Sequence, residues 1–335
     1  MAEPVVPPSP LLVMGAGAWG TALALCFART GRRVYLWGRD PDRMQAMARS
    51  YENSRYLPGI KLPRSVLPIS DLGALPTTVM TAILATPLQT TREMLQLALA
   101  HGMQQFVGTA KGIETGTGML GHEILLAVSP AFAQIALLSG PSFAREVAEG
   151  RPTALSVATR HTEFGRALVA GLYGPTLRPY LTDDLVGVAV GGAVKNVLAI
   201  AAGIADGMSL GANSRAALIT RGLAEMARFG EALGGRPETF MGLAGLGDLI
   251  LTCTDDQSRN RRFGLALGRG SSPALAERQI GVVEGISTAA AVGERATACR
   301  VEMPICTQVA RTLRGDCTPA EALCALMARE LPTGS

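Results

Sequence analysis

Lysine is nearly missing from this chain. Of 31 basic residues among 335, only Lys61, Lys111 and Lys195 are lysine. Arginine stays protonated in any protein site, whereas a desolvated lysine can lose its proton. A lysine kept against that bias is a candidate for chemistry that arginine cannot do. Aromatics are scarce too, at 4%, so Ala, Leu, Val and Gly must build the core. No basic block or basic-aromatic stripe is present, which argues against nucleic acid as a partner. The six cysteines form no C-x-x-C pair and the three histidines lie far apart, so no metal site is expected. The cysteines read as free thiols in a reducing compartment, and the expected location is cytoplasmic. The first ten residues hold four prolines and no basic residue, which reads as a flexible lead-in and not a signal peptide. The apolar stretch Leu185 to Ala205 approaches membrane-span length. Four glycines, Lys195 and Asn196 interrupt it, so a buried core helix is expected and no integral membrane segment.

What is present is a globular composition, 48% hydrophobic and 17% charged, with a mild net charge of +4. That length favours two domains, and the charge suits an anionic small molecule. From Leu11 the pattern alternates. Apolar runs at Leu11–Met14, Arg33–Trp37, Val79–Ala85, Gln105–Thr109, Ile135–Leu138 and Ala154–Ala158 read as strands, and helical stretches separate most of them. The expectation is an α/β fold with a doubly wound parallel sheet covered on both faces. After about Tyr180 the strand signal fades and the spacing turns helical. The expected division is a lead-in over 1–10, a dinucleotide-binding domain over 11–181 and an all-helical substrate and catalytic domain over 182–335.

Gly15-x-Gly17-x-x-Gly20 follows the first strand and opens the first helix. In that context Gly15 allows the tight turn, Gly17 lets backbone approach a pyrophosphate, and Gly20 lets helix and strand pack closely. The alternative is a merely tight strand-helix turn. After the second strand the chain reads Trp37-Gly-Arg-Asp40. An acid there favours the free 2′-hydroxyl of NAD, and an Arg accommodates the 2′-phosphate of NADP. Arg39 comes first, which favours NADPH without excluding NADH; the alternative is a solvated turn residue.

Lys195 lies inside the first helix of the second half. Burial disfavours its charged form and moves it toward the range for proton exchange with a substrate hydroxyl. The alternative is a lysine that snorkels to the helix edge or pairs with a carboxylate. Gly245-Leu-Gly247-Asp248 forms a glycine turn presenting a carboxylate. Ser258-Arg259-Asn260 sets a hydroxyl, a guanidinium and an amide at a helix start, which suits a phosphate. An ordinary N-cap, with Ser258 capping and Arg259 in water, explains that tripeptide equally well.

With these residues in place the chain resembles the bacterial-type NAD(P)-dependent sn-glycerol-3-phosphate dehydrogenases. The matching stretches are Gly15 to Ala24, Ala110 to Glu114, Gly140 to Glu146, Val194 to Asn196, Gly245 to Leu249, Ser258 to Asn260 and Val282 to Gly285. The resemblance implies a Rossmann domain, a helical domain and reversible reduction of dihydroxyacetone phosphate to sn-glycerol 3-phosphate, feeding glycerophospholipid synthesis. It implies that Lys195 accepts the proton when glycerol 3-phosphate is oxidised, with Asp248 and Lys111 beside it in the catalytic set. Lys111 then contacts both cofactor and substrate. Gly140, Ser142, Asp248, Ser258, Arg259 and Asn260 match substrate contacts. Gly15, Gly17, Ala18, Trp19, Gly20, Arg39, Ala144, Arg259, Val282 and Glu284 match contacts to NADP(H) or NAD(H). A homodimer through the apolar helical half is expected as well.

The chain departs from the family pattern at Leu88, where a serine is common, and at Ala18, where serine is again common. Both changes touch hydrogen bonds around the cofactor and neither removes a proposed catalytic group. Lys61 sits in a proline-flanked loop with no assigned role. Two rivals remain at this stage. One is a two-domain dehydrogenase acting on a hydroxy acid. The other is a non-catalytic dinucleotide sensor, which would have no use for Lys195 with Asp248.

Overall fold

The computed structural model describes residues 9–328. Of the proline-rich lead-in, only Ser9 and Pro10 fall among them. Two compact units divide the chain, Met1–Lys111 with Gly121–Leu185 and Gly112–Leu120 with Val186–Ser335.

The first unit is a sheet of eight strands: β1 Leu11–Met14, β2 Val34–Trp37, β3 Val66–Ile69, β4 Thr81–Leu84, β5 Gln105–Gly108, β6 Gln134–Ser139, β7 Thr153–Ala158 and β8 Leu177–Thr182. Its helices are α1 Ala18–Arg29, α2 Pro41–Ser50, α3 Thr91–Ala100, α4 Gly121–Val128, α5 Ala144–Glu149 and α6 Thr162–Leu172. The strands lie in the order β3-β2-β1-β4-β5-β6-β7-β8. The order reverses between β1 and β4, and in such sheets ligands bind at the carboxyl ends beside that reversal. β1 and β2 are buried at every position, as strands covered on both faces must be.

The sheet is parallel, as expected, at every pair but one: β7 runs antiparallel to β6. An apolar run reads the same in either direction, and only pairing decides its sense. The sequence reading also passed over β3 and β8. Both are edge strands and both carry a proline, Pro68 and Pro179. Proline removes a ladder donor and is tolerated at edges, so a proline demotes a strand on sequence grounds alone. Helix α2 was missed although it carries a start signal. Asp40 caps it and Pro41 stands at its first turn, the arrangement that satisfies a free N–H and presets the backbone.

The second unit is helical: α7 Leu185–Gly207, α8 Gly211–Ala232, α9 Pro237–Met241, α10 Asp248–Thr254, α11 Arg259–Gly268, α12 Pro273–Ile280, α13 Glu284–Ala298, α14 Pro304–Arg314 and α15 Pro319–Met327. A π-helical turn, Leu243–Gly247, leads directly into α10. Helix α7 is the one helix among the described residues long and apolar enough to cross a membrane, with a mean hydropathy of 1.9, yet 89% of that window is buried. It is the unit's central helix. Val190, Val194, Val197 and Leu198 on it are inaccessible to solvent, and each such side chain stabilises by about 1.5–3 kcal/mol. The segment Gly112–Leu120 joins this core through Ile113 and Leu120, and Arg295 donates to the carbonyl of Gly118 at 2.7 Å. Helix α15 opens with a capping box between Thr318 and Glu321.

Candidate active site

In the sheet unit the turn after β1 is squeezed from both sides. Gly15 N donates to the Trp37 carbonyl at the end of β2 (3.0 Å), and Ala85 N donates to Met14 beyond β4 (2.9 Å). Gly15 takes φ +118°, and a Cβ there would meet the Ala85 carbonyl oxygen at 2.6 Å. Gly20 lies against the turn itself, since a Cβ on it would fall 1.9 Å from the Gly15 oxygen. Helix α1 then follows Gly17, its N-cap, with no side-chain cap and no acid in its first turn. Its leading N–H groups are left for an anion, and the helix end favours negative charge. These features fit a dinucleotide pyrophosphate. Arg39 stands exposed just past β2.

Lys111 follows β5 and donates to the Gly140 carbonyl at 3.3 Å. Ser142 donates to the same oxygen at 3.0 Å, and Ala144 opens α5 two residues later. Thus Lys111, Gly140 and Ser142, read separately from the sequence, meet in the first unit.

In the helical unit α7 presents Lys195, 6% exposed, and α10 presents Asp248, 1% exposed. Lys195 Nζ donates to Asp248 Oδ1 at 2.5 Å and to Thr252 Oγ1 at 2.9 Å. Thr252 in turn donates to the Asp248 carbonyl at 2.6 Å. Lys195 is thus paired with a carboxylate, and that carboxylate is Asp248, the acid that the resemblance sets beside it in the catalytic set. The approach of the two helices depends on Gly191, where a Cβ would lie 2.3 Å from the Ala244 oxygen of the π-turn. Such turns appear often at functional sites, and this one delivers Asp248 to the start of α10. Cys253, next to Thr252, is pushed up to about 12 by burial. It stays a thiol at neutral pH and is no nucleophile.

Ser258 caps α11, accepting from Arg261 N at 3.2 Å, and Arg259 stands exposed after it. Arg261 braces this turn. Its guanidinium is held by Asp206 at 2.6 Å and by Asp256. Asn260 is drawn into a chain of amides: its Nδ2 donates to Asn196 Oδ1 (3.0 Å), Asn196 Nδ2 donates to Glu284 Oε2 (3.1 Å), and Gly285 N donates to Asn260 Oδ1 (2.9 Å). Lys195's neighbour Asn196 thereby links α7, α11 and α13. Val282 is 61% exposed just before α13.

The sequence reading missed Thr252, Asn196 and Arg261. The first had a signal: Asp248 and Thr252 stand four apart on one helix and so share a face. For the other two, long-range partners decide: Asn260 and Glu284 lie 64 and 88 residues from Asn196, and Asp206 lies 55 from Arg261, whose nearer partner Asp256 is five away. Lys61, the third lysine, pairs with Glu52 at 2.8 Å and is 69% exposed.

Comparison with known proteins places these features in a family. Residues 10–165 match the N-terminal model, and residues 184–324 the C-terminal model, of NAD-dependent glycerol-3-phosphate dehydrogenase. A glycerol-3-phosphate dehydrogenase [NAD(P)+] of Thioalkalivibrio sulfidiphilus is 49% identical over 324 residues, covering 96% of this chain and 97% of its own length. The crystal structure of glycerol-3-phosphate dehydrogenase from Coxiella burnetii superposes with a TM-score of 0.90 at 42% identity, covering 96% of this chain and 99% of its own. A D-mandelate dehydrogenase solved with NADH shares the fold alone, with a TM-score of 0.59 and 13% identity over 92% of this chain and 98% of its own.

Proposed function

This chain belongs to the NAD-dependent glycerol-3-phosphate dehydrogenase family, and from that premise we propose how its two units divide the reaction. The enzyme is an NAD(P)-dependent oxidoreductase that reduces dihydroxyacetone phosphate to glycerol 3-phosphate. The nicotinamide, when bound, exchanges a hydride with the substrate's central carbon.

The first unit holds the cofactor. Gly15, Gly17 and Gly20 shape the turn, the N–H groups at Ala18 and Trp19 meet the pyrophosphate, and Arg39 accommodates a 2′-phosphate. Lys111 adds fixed positive charge beside Gly140 and Ser142, with Ala144 behind them. Val282 and Glu284 are assigned to the cofactor as well.

The second unit performs the proton transfer. As hydride reaches the carbonyl carbon, negative charge collects on its oxygen. Lys195, as ammonium, stabilises that oxygen and gives it a proton; in the reverse direction its neutral amine takes the proton back. Asp248 and Thr252 hold Nζ in place through the change. Ser258, Arg259 and Asn260 grip the phosphate, so binding energy away from the reacting carbon fixes its geometry. Asn260 keeps one amide N–H beyond the one given to Asn196. The observation that carries this reading is the buried Lys195–Asp248 pair at 2.5 Å.

The same reading makes the enzyme a cytoplasmic homodimer. Support comes from the free cysteines, which suit a reducing compartment, and from exposed apolar residues of the helical unit such as Met241, Ile250 and Met327. Light scattering in solution tests the dimer.

The function is tested by NADPH oxidation with dihydroxyacetone phosphate as acceptor. Saturable turnover is expected. Silence with this substrate, together with activity on a hydroxy or keto acid, overturns the phosphate assignment.

A further inference from the structure

The first turn of α2, just past β2, carries a second arginine, to which the resemblance assigns no role and which the structure ties to the glycine turn. Arg43 is the third residue of α2, four after Arg39. Its Nη2 donates to the Ala16 carbonyl inside the Gly15–Gly20 turn at 2.6 Å. Asn53 donates to the same carbonyl at 3.1 Å and to Thr21 Oγ1 at 2.7 Å. The guanidinium of Arg43 lies over the Tyr56 ring, 4.9 Å from its centroid, and Arg55 approaches that ring at 5.4 Å. One terminal nitrogen is thus committed and the plane is fixed by stacking. Nε is buried without an acceptor, and no other partner of this side chain exists among the described residues. A buried donor without an acceptor is costly, and a guanidinium fork suits a phosphate.

Asp40, the acid that would read a 2′-hydroxyl, has another duty. It caps α2, and its Oδ1 accepts from Arg43 N at 3.1 Å. The acid at this corner therefore serves the helix, while exposed Arg39 has no partner among the described residues.

We propose that Arg43 is a specificity-determining residue that, with Arg39, receives the 2′-phosphate of NADPH, while Asp40 acts as a helix cap and does not read the ribose. The inference rests on the reading that Arg39 marks the 2′ position. Arg43 adds something Arg39 lacks: by holding the Ala16 carbonyl, it joins the 2′-phosphate site to the pyrophosphate turn. NADPH binding then orders both ends of the adenosine half together. The stacked, forked geometry also makes lysine an incomplete substitute, since an ammonium keeps the charge and loses the fork.

The test is direct titration of the full chain with NADPH, NADH and adenosine 2′-monophosphate, followed by calorimetry. Arg43→Met is expected to weaken NADPH and the 2′-monophosphate by about 10- to 100-fold, the range of a charge-assisted hydrogen bond. NADH should change by no more than about twofold, the internal control for a folded site; Arg43→Lys should fall between. Asp40→Asn keeps a capping side chain and should leave the NADPH-to-NADH ratio unchanged. Equal weakening of both dinucleotides by Arg43→Met would make Arg43 a brace for the turn and overturn the proposal. So would unchanged NADPH binding, or a selective loss of NADH in Asp40→Asn. Arg39→Ala in the same titration separates the two levels. If it shifts the ratio and Arg43→Met does not, only the present inference fails. If neither shifts it, the reading of the β2 end as the 2′-phosphate site fails with it.

Discussion

In the sheet unit the glycine turn after β1 offers backbone N–H donors and the corner after β2 offers arginines, each set supplied by one short stretch of chain. In the helical unit the groups are Lys195, Asp248 and Thr252, buried and bonded to one another, with Lys195 and Asp248 separated by 53 residues. The two arrangements suit different tasks. Binding a pyrophosphate needs donors that never change state, and peptide groups provide them without side-chain entropy. Moving a proton needs a group that does change state, and such a group must be held by neighbours through the change. A buried charge is tolerable only when paired and hydrogen-bonded, so the Lys195 site, where we propose the proton moves, comes with a supporting shell that the glycine turn does not need.

This contrast can be broken most sharply at Lys195. Lys195→Ala should lower kcat by at least about 100-fold, a usual contribution of general acid-base catalysis, with NADPH affinity measured by titration unchanged. Lys195→Arg should not restore turnover, because a guanidinium keeps its proton. An arginine variant with full activity would reduce Lys195 to a fixed charge and erase the difference between the units.

Two glycines sharpen the comparison at a smaller scale. Gly191→Ala sets a Cβ 2.3 Å from the Ala244 oxygen and must part α7 from the π-turn that delivers Asp248. It should cost about 1–3 kcal/mol in urea unfolding, as overpacking does, and should lower kcat. Gly20→Ala strains the turn beside Gly15 and should raise Kd for NADPH and NADH alike. If Gly20→Ala changed kcat at saturating cofactor and Gly191→Ala changed only Kd, the division of labour would be reversed.

The smallest effect concerns thiols. Burial pushes Cys26 up to about 11 and Cys253 up to about 12, and raises Cys306 too. Iodoacetamide at about pH 8 should therefore modify only Cys299, Cys317 and Cys324, which are partly or fully exposed, and mass spectrometry reads the sites. The thiolate is the reactive form, so a raised value protects below it and reactivity returns only as pH climbs toward it. Rapid modification of Cys253 under native conditions would mean that α10 opens and that the Lys195 shell is not the rigid one described.

Much of the sheet was legible because its inner strands are continuous apolar runs and its cofactor turn is a local glycine pattern. The edge strands β3 and β8 were not, since Pro68 and Pro179 weaken the strand signal where only an edge can tolerate them. The antiparallel sense of β7 was not legible either, because direction belongs to the pair and not to the run. In the helical unit Lys195 stood out as a lone charge among apolar neighbours, and Asp248 as a carboxylate after two glycines. The linking roles of Asn196 and Arg261 were not legible: Glu284 and Asp206, which tie them to other helices, lie 88 and 55 residues away.

The sequence by itself determined the kinds of group available: a glycine turn between strand and helix, one lysine in an apolar helix, and an arginine-rich corner after the second strand. These follow from local periodicity and from composition, which short stretches carry. Only the tertiary structure decided which of those groups meet. Packing of α7 on the π-turn joined Lys195 to Asp248 and Thr252, and folding of α2 against the cofactor turn set Asp40 to capping and Arg43 onto Ala16. Those pairings depend on which backbones can approach closely, a property of the packed elements that no single segment carries.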